Sequence, residues 1–129
     1  MTTRKDRLRK LVDVQEKLKA LHETRHAGFV SAAISAQGEA EDLMNRFDAE
    51  DSLSPLFPAL YSNRIEKALN RSQENKARAK VESANVATAT ARTNMVERAY
   101  REVRQRDERE TSDRERLEMI ERKHVGNDK

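Results

Sequence analysis

Apolar positions recur along the chain at three- and four-residue intervals, in two long series separated by a single break. The first series opens with Leu11, Val14, Leu18 and Leu21 and continues with Phe29, Ala33, Ala36, Ala40, Leu43 and Phe47. Alternating spacings of three and four average 3.5 residues per turn, the period of a helix that lays one stripe against another helix. The two stretches are one residue out of phase, because eleven residues separate Leu18 from Phe29, with Arg25 on the intervening turn. An eleven-residue step of this kind unwinds a left-handed supercoil locally. After the break the alternation resumes through Tyr61, Ile65, Ala68, Ser72, Asn75, Ala79, Glu82, Val86, Ala89, Thr93, Val96, Tyr100 and Val103. This second seam is small or polar at most of its middle positions.

The break reads DAEDSLSPLFP from Asp48 to Pro58. Pro55 and Pro58 bias Ser54 and Phe57 away from the α region, and Pro58 suits the first turn of a new helix. At the other end of the first series, Thr3 and Asp6 form an acidic variant of a capping box. The pattern predicts one helical-hairpin domain over residues 1–129: a helix over 4–50, a turn at 51–57, a helix over 58–124 and a short tail, 125–129. The fold class is all-α, an antiparallel coiled-coil hairpin. Gly126 reads as a helix stop, and Gly28 and Gly38, set among alanines, read as points of close backbone approach. At 1.5 Å per residue the helices should run about 70 Å and about 100 Å, so the second is longer. Its C-terminal overhang, Arg106 to His124, should be held by pairs such as Glu102–Arg106, Glu110–Arg114 and Glu118–Arg122.

Composition narrows the alternatives. Only 36% of the 129 residues are apolar, against 38% charged, with three Phe, two Tyr and no Trp. That is too little large apolar surface for a sandwich, barrel or doubly wound sheet, and three Gly with two Pro leave few turns to connect one. A near-balanced charge of +3 and an abundance of Ala, Glu, Arg and Leu favour long helix over disorder. Without cysteine there are no disulfides and no thiolate ligands or nucleophiles. No apolar run reaches the ~20 residues of a membrane span, and the basic N-terminus has no apolar stretch behind it. The expected location is cytoplasmic.

Candidate chemistry is sparse. His22 and His26 stand four apart, the spacing of a shared metal, but no third ligand accompanies them and they read as solvated flank positions. The carboxylates lack an apolar pocket that would raise a pKa, and no hydroxyl has a base beside it. No glycine-rich loop is present to hold a phosphate. The sequence therefore predicts no catalytic residue, no cofactor, no metal and no enzyme activity. Basic clusters at Arg4, Lys5, Arg7, Arg9 and Lys10 and at Lys76, Arg78 and Lys80, with a pI near 9.3, keep a nucleic-acid-binding hairpin as an alternative. Interleaved acids and the absence of stacking aromatics count against it.

Two regions read as partner-binding. At the tip, Phe47, Leu56, Phe57 and Tyr61 concentrate bulky side chains where a two-helix hairpin has little surface to cover them. At the ends, Arg4, Arg7 and Arg9 and the overhang residues Leu117, Met119 and Ile120 offer charge and an apolar anchor. A thin hairpin also gains burial by pairing weakly with a second copy, which makes a homodimer an architectural alternative.

RKDRLRKLVDVQEKL at residues 4–18, SLSPLFPALYSNRI at 52–65 and the Arg- and Glu-rich end from Arg101 together resemble the flagellar export stalk family, FliJ, and its type III secretion relatives. The resemblance implies a coiled-coil component of the protein-export apparatus, working in flagellum biogenesis and motility. Its joined ends would enter the hexameric export ATPase, and other surface would contact the export gate or substrate chaperones, peripheral to the inner membrane. No individual functional residue carries over. A secretion chaperone that holds unfolded export substrates is a second functional alternative.

Overall fold

The computed structural model describes residues 3–127. Two helices account for nearly all of it: α1, Arg4–Asp48, and α2, Pro58–Asn127. Among the described residues there is no strand and no left-handed backbone. The all-α hairpin class is the one the spacing predicts. α1 ends two residues earlier than expected. α2 runs on through Val125 and Gly126, so the anticipated stop at Gly126 is not taken; the rest of the expected tail, residues 128–129, lies outside the described residues.

Helix α1 starts where the sequence places its cap. The Asp6 N–H donates to Thr3 Oγ1 at 3.2 Å, and the Thr3 N–H donates back to Asp6 Oδ2 at 3.4 Å. Two amide groups that a bare helix start would leave unpaired are satisfied reciprocally. Hydrogen bonding by the side chain and then the backbone of Thr3, with attraction from Lys10 and Lys5, lowers the Asp6 pKa. At the far end, Ser54 is 5% exposed and its hydroxyl donates to the Phe47 carbonyl at 2.8 Å. That bond caps a carbonyl left over at the end of α1 and folds the proline-marked segment back onto the helix. The Leu56 and Phe57 amides then donate to the Leu53 carbonyl at 3.0 and 3.2 Å, closing a tight turn ahead of Pro58.

The chain forms two compact units. The turn unit, Leu18–Ala89, contains the hairpin turn and holds most of the buried side chains. Ala33, Ala36, Ala40 and Leu43 of α1 are buried in it, as are Ala68, Ser72, Ala79, Glu82 and Ala89 of α2. These α2 positions are those of the predicted seam. Ala40 and Ala68 are fully buried, and Ser72, at 1% exposure, is the largest side chain that is almost wholly covered. With methyl groups in place of most Leu layers, each buried alanine contributes on the order of the ~0.8 kcal/mol of one buried carbon.

In the terminal unit, Met1–Lys17 with Thr90–Lys129, Lys5, Leu8, Val12 and Gln15 of α1 are partly covered. On α2, Thr93 is buried and Val96, Tyr100 and Val103 are partly covered, again as the seam predicts, and Asp107, one step beyond the predicted series, is partly covered too. From Glu108 to Gly126 every residue is exposed, so the unpaired stretch begins within a turn of its expected start at Arg106. An ion pair at the start of that stretch joins Arg104 Nε to Glu108 at 3.1 Å. The anticipated pairs of Glu102, Glu110 and Glu118 with the arginine four residues on do not close.

The phase of α1 differs from the reading of its leucines. Partly covered positions run Lys19, His22, His26 and Phe29 in the turn unit and Lys5, Leu8, Val12 and Gln15 in the terminal unit, with no eleven-residue step. Leu11, Val14, Leu18 and Leu21 are 42%, 50%, 40% and 44% exposed. The physical reason lies in α2: its seam never changes phase, so α1 meets it by counting back from Phe29 in threes and fours. That count lands on His26 and His22, not on Leu21 and Leu18. Gly28 and Gly38 also differ from expectation, since a Cβ added at either would meet nothing within 4 Å. Neither is a point of close backbone approach.

Candidate functional site

Three features of the chain carry polar chemistry or exposed apolar surface. The first is a polar layer inside the turn unit. His22 Nδ1 lies 2.7 Å from Glu82 Oε2, with the two side chains 23% and 11% exposed. A carboxylate only accepts, so the imidazole proton at this contact is on Nδ1. The His22 hydrogen bond is the main cause of a lowered Glu82 pKa; a hydrogen bond from Asn85 and the charges of His22 and Arg25 act in the same direction, against desolvation. His22 and His26 are thus not solvated flank residues: both are partly covered in the seam, and His22 supplies the donor opposite the Glu82 carboxylate. The Arg78 guanidinium lies 6.0 Å from the centre of the Phe29 ring. Nearer the turn, the Ser72 hydroxyl donates to Gln37 Oε1 at 3.4 Å. No buried side-chain nitrogen or oxygen among the described residues is left without a partner.

The second feature is the tip. Phe47 and Tyr61, which the sequence places there, meet edge to face with ring centres 6.1 Å apart and planes at 65°. Their contact closes the turn from both helices, as aromatic pairs of this geometry do. Leu56 and Phe57, the other two expected tip residues, remain 72% and 53% exposed, as do Leu53 at 58% and Leu60 at 49%. Beside them Leu43, Leu53, Phe57, Leu60 and Tyr61 line a cavity of about 260 Å³, flanked by Arg46 and Arg64. A second cavity, of about 560 Å³, shares Leu43, Arg46 and Arg64 and continues along Lys67 and Arg71 of α2 and Glu39 and Asp42 of α1. Within it Arg71 pairs with Glu39 at 2.8 Å. Arg46, Arg64 and Lys67 form no ion pair with a described residue.

Sequence reasoning missed this basic wall because it is assembled from two helices. Half of its signal was in view: Arg64, Lys67 and Arg71 stand three and four apart on one face of α2.

The third feature belongs to the terminal unit. Arg4, Arg7 and Arg9 are exposed along the first turns of α1. Leu117, Met119 and Ile120 are 61%, 57% and 61% exposed on a stretch where no neighbouring helix covers any residue. Around them, residues 101–123 carry eight positive and eight negative side chains.

Among the described residues no group of three or more His, Asp or Glu side chains is placed to hold a metal ion. Among the described residues no helix is long and apolar enough to cross a membrane. No protein-family model, curated protein or solved structure matches the chain.

Proposed function

We propose that the chain is a non-enzymatic coiled-coil component of a flagellar or type III protein-export apparatus, a cytoplasmic stalk that binds the export ATPase and couples it to the export gate. The observation that carries this reading is the fully exposed stretch of α2 from Glu108 to Gly126, with bulky apolar side chains set among evenly mixed charges. A helix that buries nothing against its own chain is held by little beyond local pairs worth about 0.2–0.5 kcal/mol each. Leu117, Met119 and Ile120 on such a helix suit a partner's groove, and mixed charges suit weak contacts that exchange between equivalent subunits of a ring. Such contacts weaken as salt rises.

Deleting residues 106–129 tests the reading. The truncated chain should keep its helical circular dichroism and lose stimulation of the export ATPase; undiminished stimulation would sink the proposal.

A second reading, a secretion chaperone that holds an unfolded export substrate, draws on the exposed Leu53, Leu56, Phe57 and Leu60 at the turn. Co-purification of flagellar structural subunits without any effect on ATP hydrolysis would select it over the stalk.

A further inference from the structure

The tip joins an apolar cavity to unpaired cationic side chains, and this juxtaposition defines a ligand. We infer that the turn end of the hairpin is a docking site for an acidic amphipathic peptide segment of a partner protein. A bulky apolar side chain of that segment would enter the cavity lined by Leu53, Phe57, Leu60 and Tyr61, and its carboxylates would pair with Arg46 and Arg64. The site lies wholly within the turn unit and does not depend on the export reading, which rests on the terminal unit.

Three observations fix the chemistry of the occupant. Leu53, Leu56, Phe57 and Leu60 are each about half exposed or more, in a chain only 36% apolar. Concentrating scarce apolar side chains at one exposed place is the signature of an interaction surface. Secondly, Arg46 and Arg64 come from different helices yet line both cavities, so the apolar pocket opens directly onto the basic wall. Arg46, Arg64 and Lys67 form no ion pair with a described residue, which leaves them complementary to an external acid, and guanidinium groups pair carboxylates through two parallel hydrogen bonds. Lys67 extends the positive wall, while Arg71 is already taken by Glu39, and Asp42, which lines the same cavity, leaves one acid against three cations.

The third observation is the charge of the turn itself. Asp48, Glu50 and Asp51, which fall between Arg46 and Leu53 in the sequence, add negative charge to the turn that disfavours a broad anionic surface, such as a bilayer or a polynucleotide backbone.

The test uses the full chain and a short fluorescein-labelled synthetic peptide with two Leu four residues apart in a Glu-rich background, followed by anisotropy. Two control peptides carry Ala for Leu, or Lys for Glu. The Leu/Glu peptide should bind saturably in the micromolar range and weaken with salt. Its affinity should fall roughly tenfold or more for the pair Arg46→Gln and Arg64→Gln, with circular dichroism unchanged. Phe57→Ser should weaken it as well, and neither control peptide should match it.

The proposal is overturned by any of several results: no saturable binding up to about 1 mM, equal binding of the Ala control, or affinity indifferent to both arginine substitutions. Binding to anionic vesicles or to a single-stranded oligonucleotide, in place of the peptide, would overturn it too.

Discussion

Within the turn unit, the seam near the turn and the seam farther from it solve the same packing problem with opposite materials. Next to the turn, Ala33, Ala36, Ala40 and Leu43 are buried in the unit that also buries Ala68 and Ser72, and stability there comes from methyl burial and close fit. Toward the other end, Lys19, His22, His26 and Phe29 are partly covered, and Glu82, the one buried carboxylate among the described residues, is matched by an imidazole at 2.7 Å. A small-residue seam tolerates sliding by a heptad, since one alanine resembles the next. A single charged pair does not slide. In coiled coils a polar seam position typically fixes register at a cost in stability, and the His22–Glu82 layer fits that role.

The largest effect that would break this comparison is expected at Ala40, which is fully buried. Ala40→Asp leaves an uncompensated charge in the seam and should cost about 3 kcal/mol or more; Ala40→Leu should cost about 1–3 kcal/mol by overpacking. Urea unfolding followed by circular dichroism measures both, and a cost near zero for Ala40→Leu would mean that the seam is looser than its burial indicates. A smaller loss is expected for His22→Ala, which leaves Glu82 without its main donor. The loss should shrink when Glu82→Gln is added, and a double-mutant cycle reads that coupling directly.

The pH dependence follows from the same pair. Glu82 has a folded pKa below the ordinary 4.5, so the folded state binds its proton more weakly than the unfolded chain does. Its contribution is therefore present above about pH 4.5 and is lost as pH falls through the lowered value. Asp6, lowered from 3.8 by Thr3, adds a loss in the same direction at slightly lower pH. Glu82→Gln should flatten the acid limb of a stability–pH curve; a limb of unchanged steepness would remove Glu82 from the account.

The smallest effects sharpen the phase of α1. Gly28→Ala should stabilise by about 1 kcal/mol, because a Cβ there meets nothing within 4 Å and the helix gains a better former. Leu18→Gln should change stability by no more than about 0.5 kcal/mol, as an exposed position allows. If the leucines were the true seam, that substitution would instead cost about 2 kcal/mol or more.

These contrasts also show how the fold was readable. The α2 seam, from Tyr61 to Val103, stood at its true positions in the sequence because no stronger apolar series competed with it. On α1, Leu18 and Leu21, continuing the spacing of Leu11 and Val14, carried more hydrophobicity than Lys19, His22 and His26, which line the seam there. The choice between the two phases depends on Glu82, sixty residues away, and no local pattern contains it. The tip was legible from its prolines and aromatics. Its basic wall was not, because Arg46 and Arg64 become neighbours only when the turn closes.

The most direct test of the polar layer uses the absence of cysteine. With His22→Cys and Glu82→Cys as the sole thiols, a short bis-maleimide should link the two positions within one chain, and the pair Leu21→Cys with Glu82→Cys should link poorly. Efficient linkage through position 21 with little through position 22 would contradict the seam described here and restore the leucine phase.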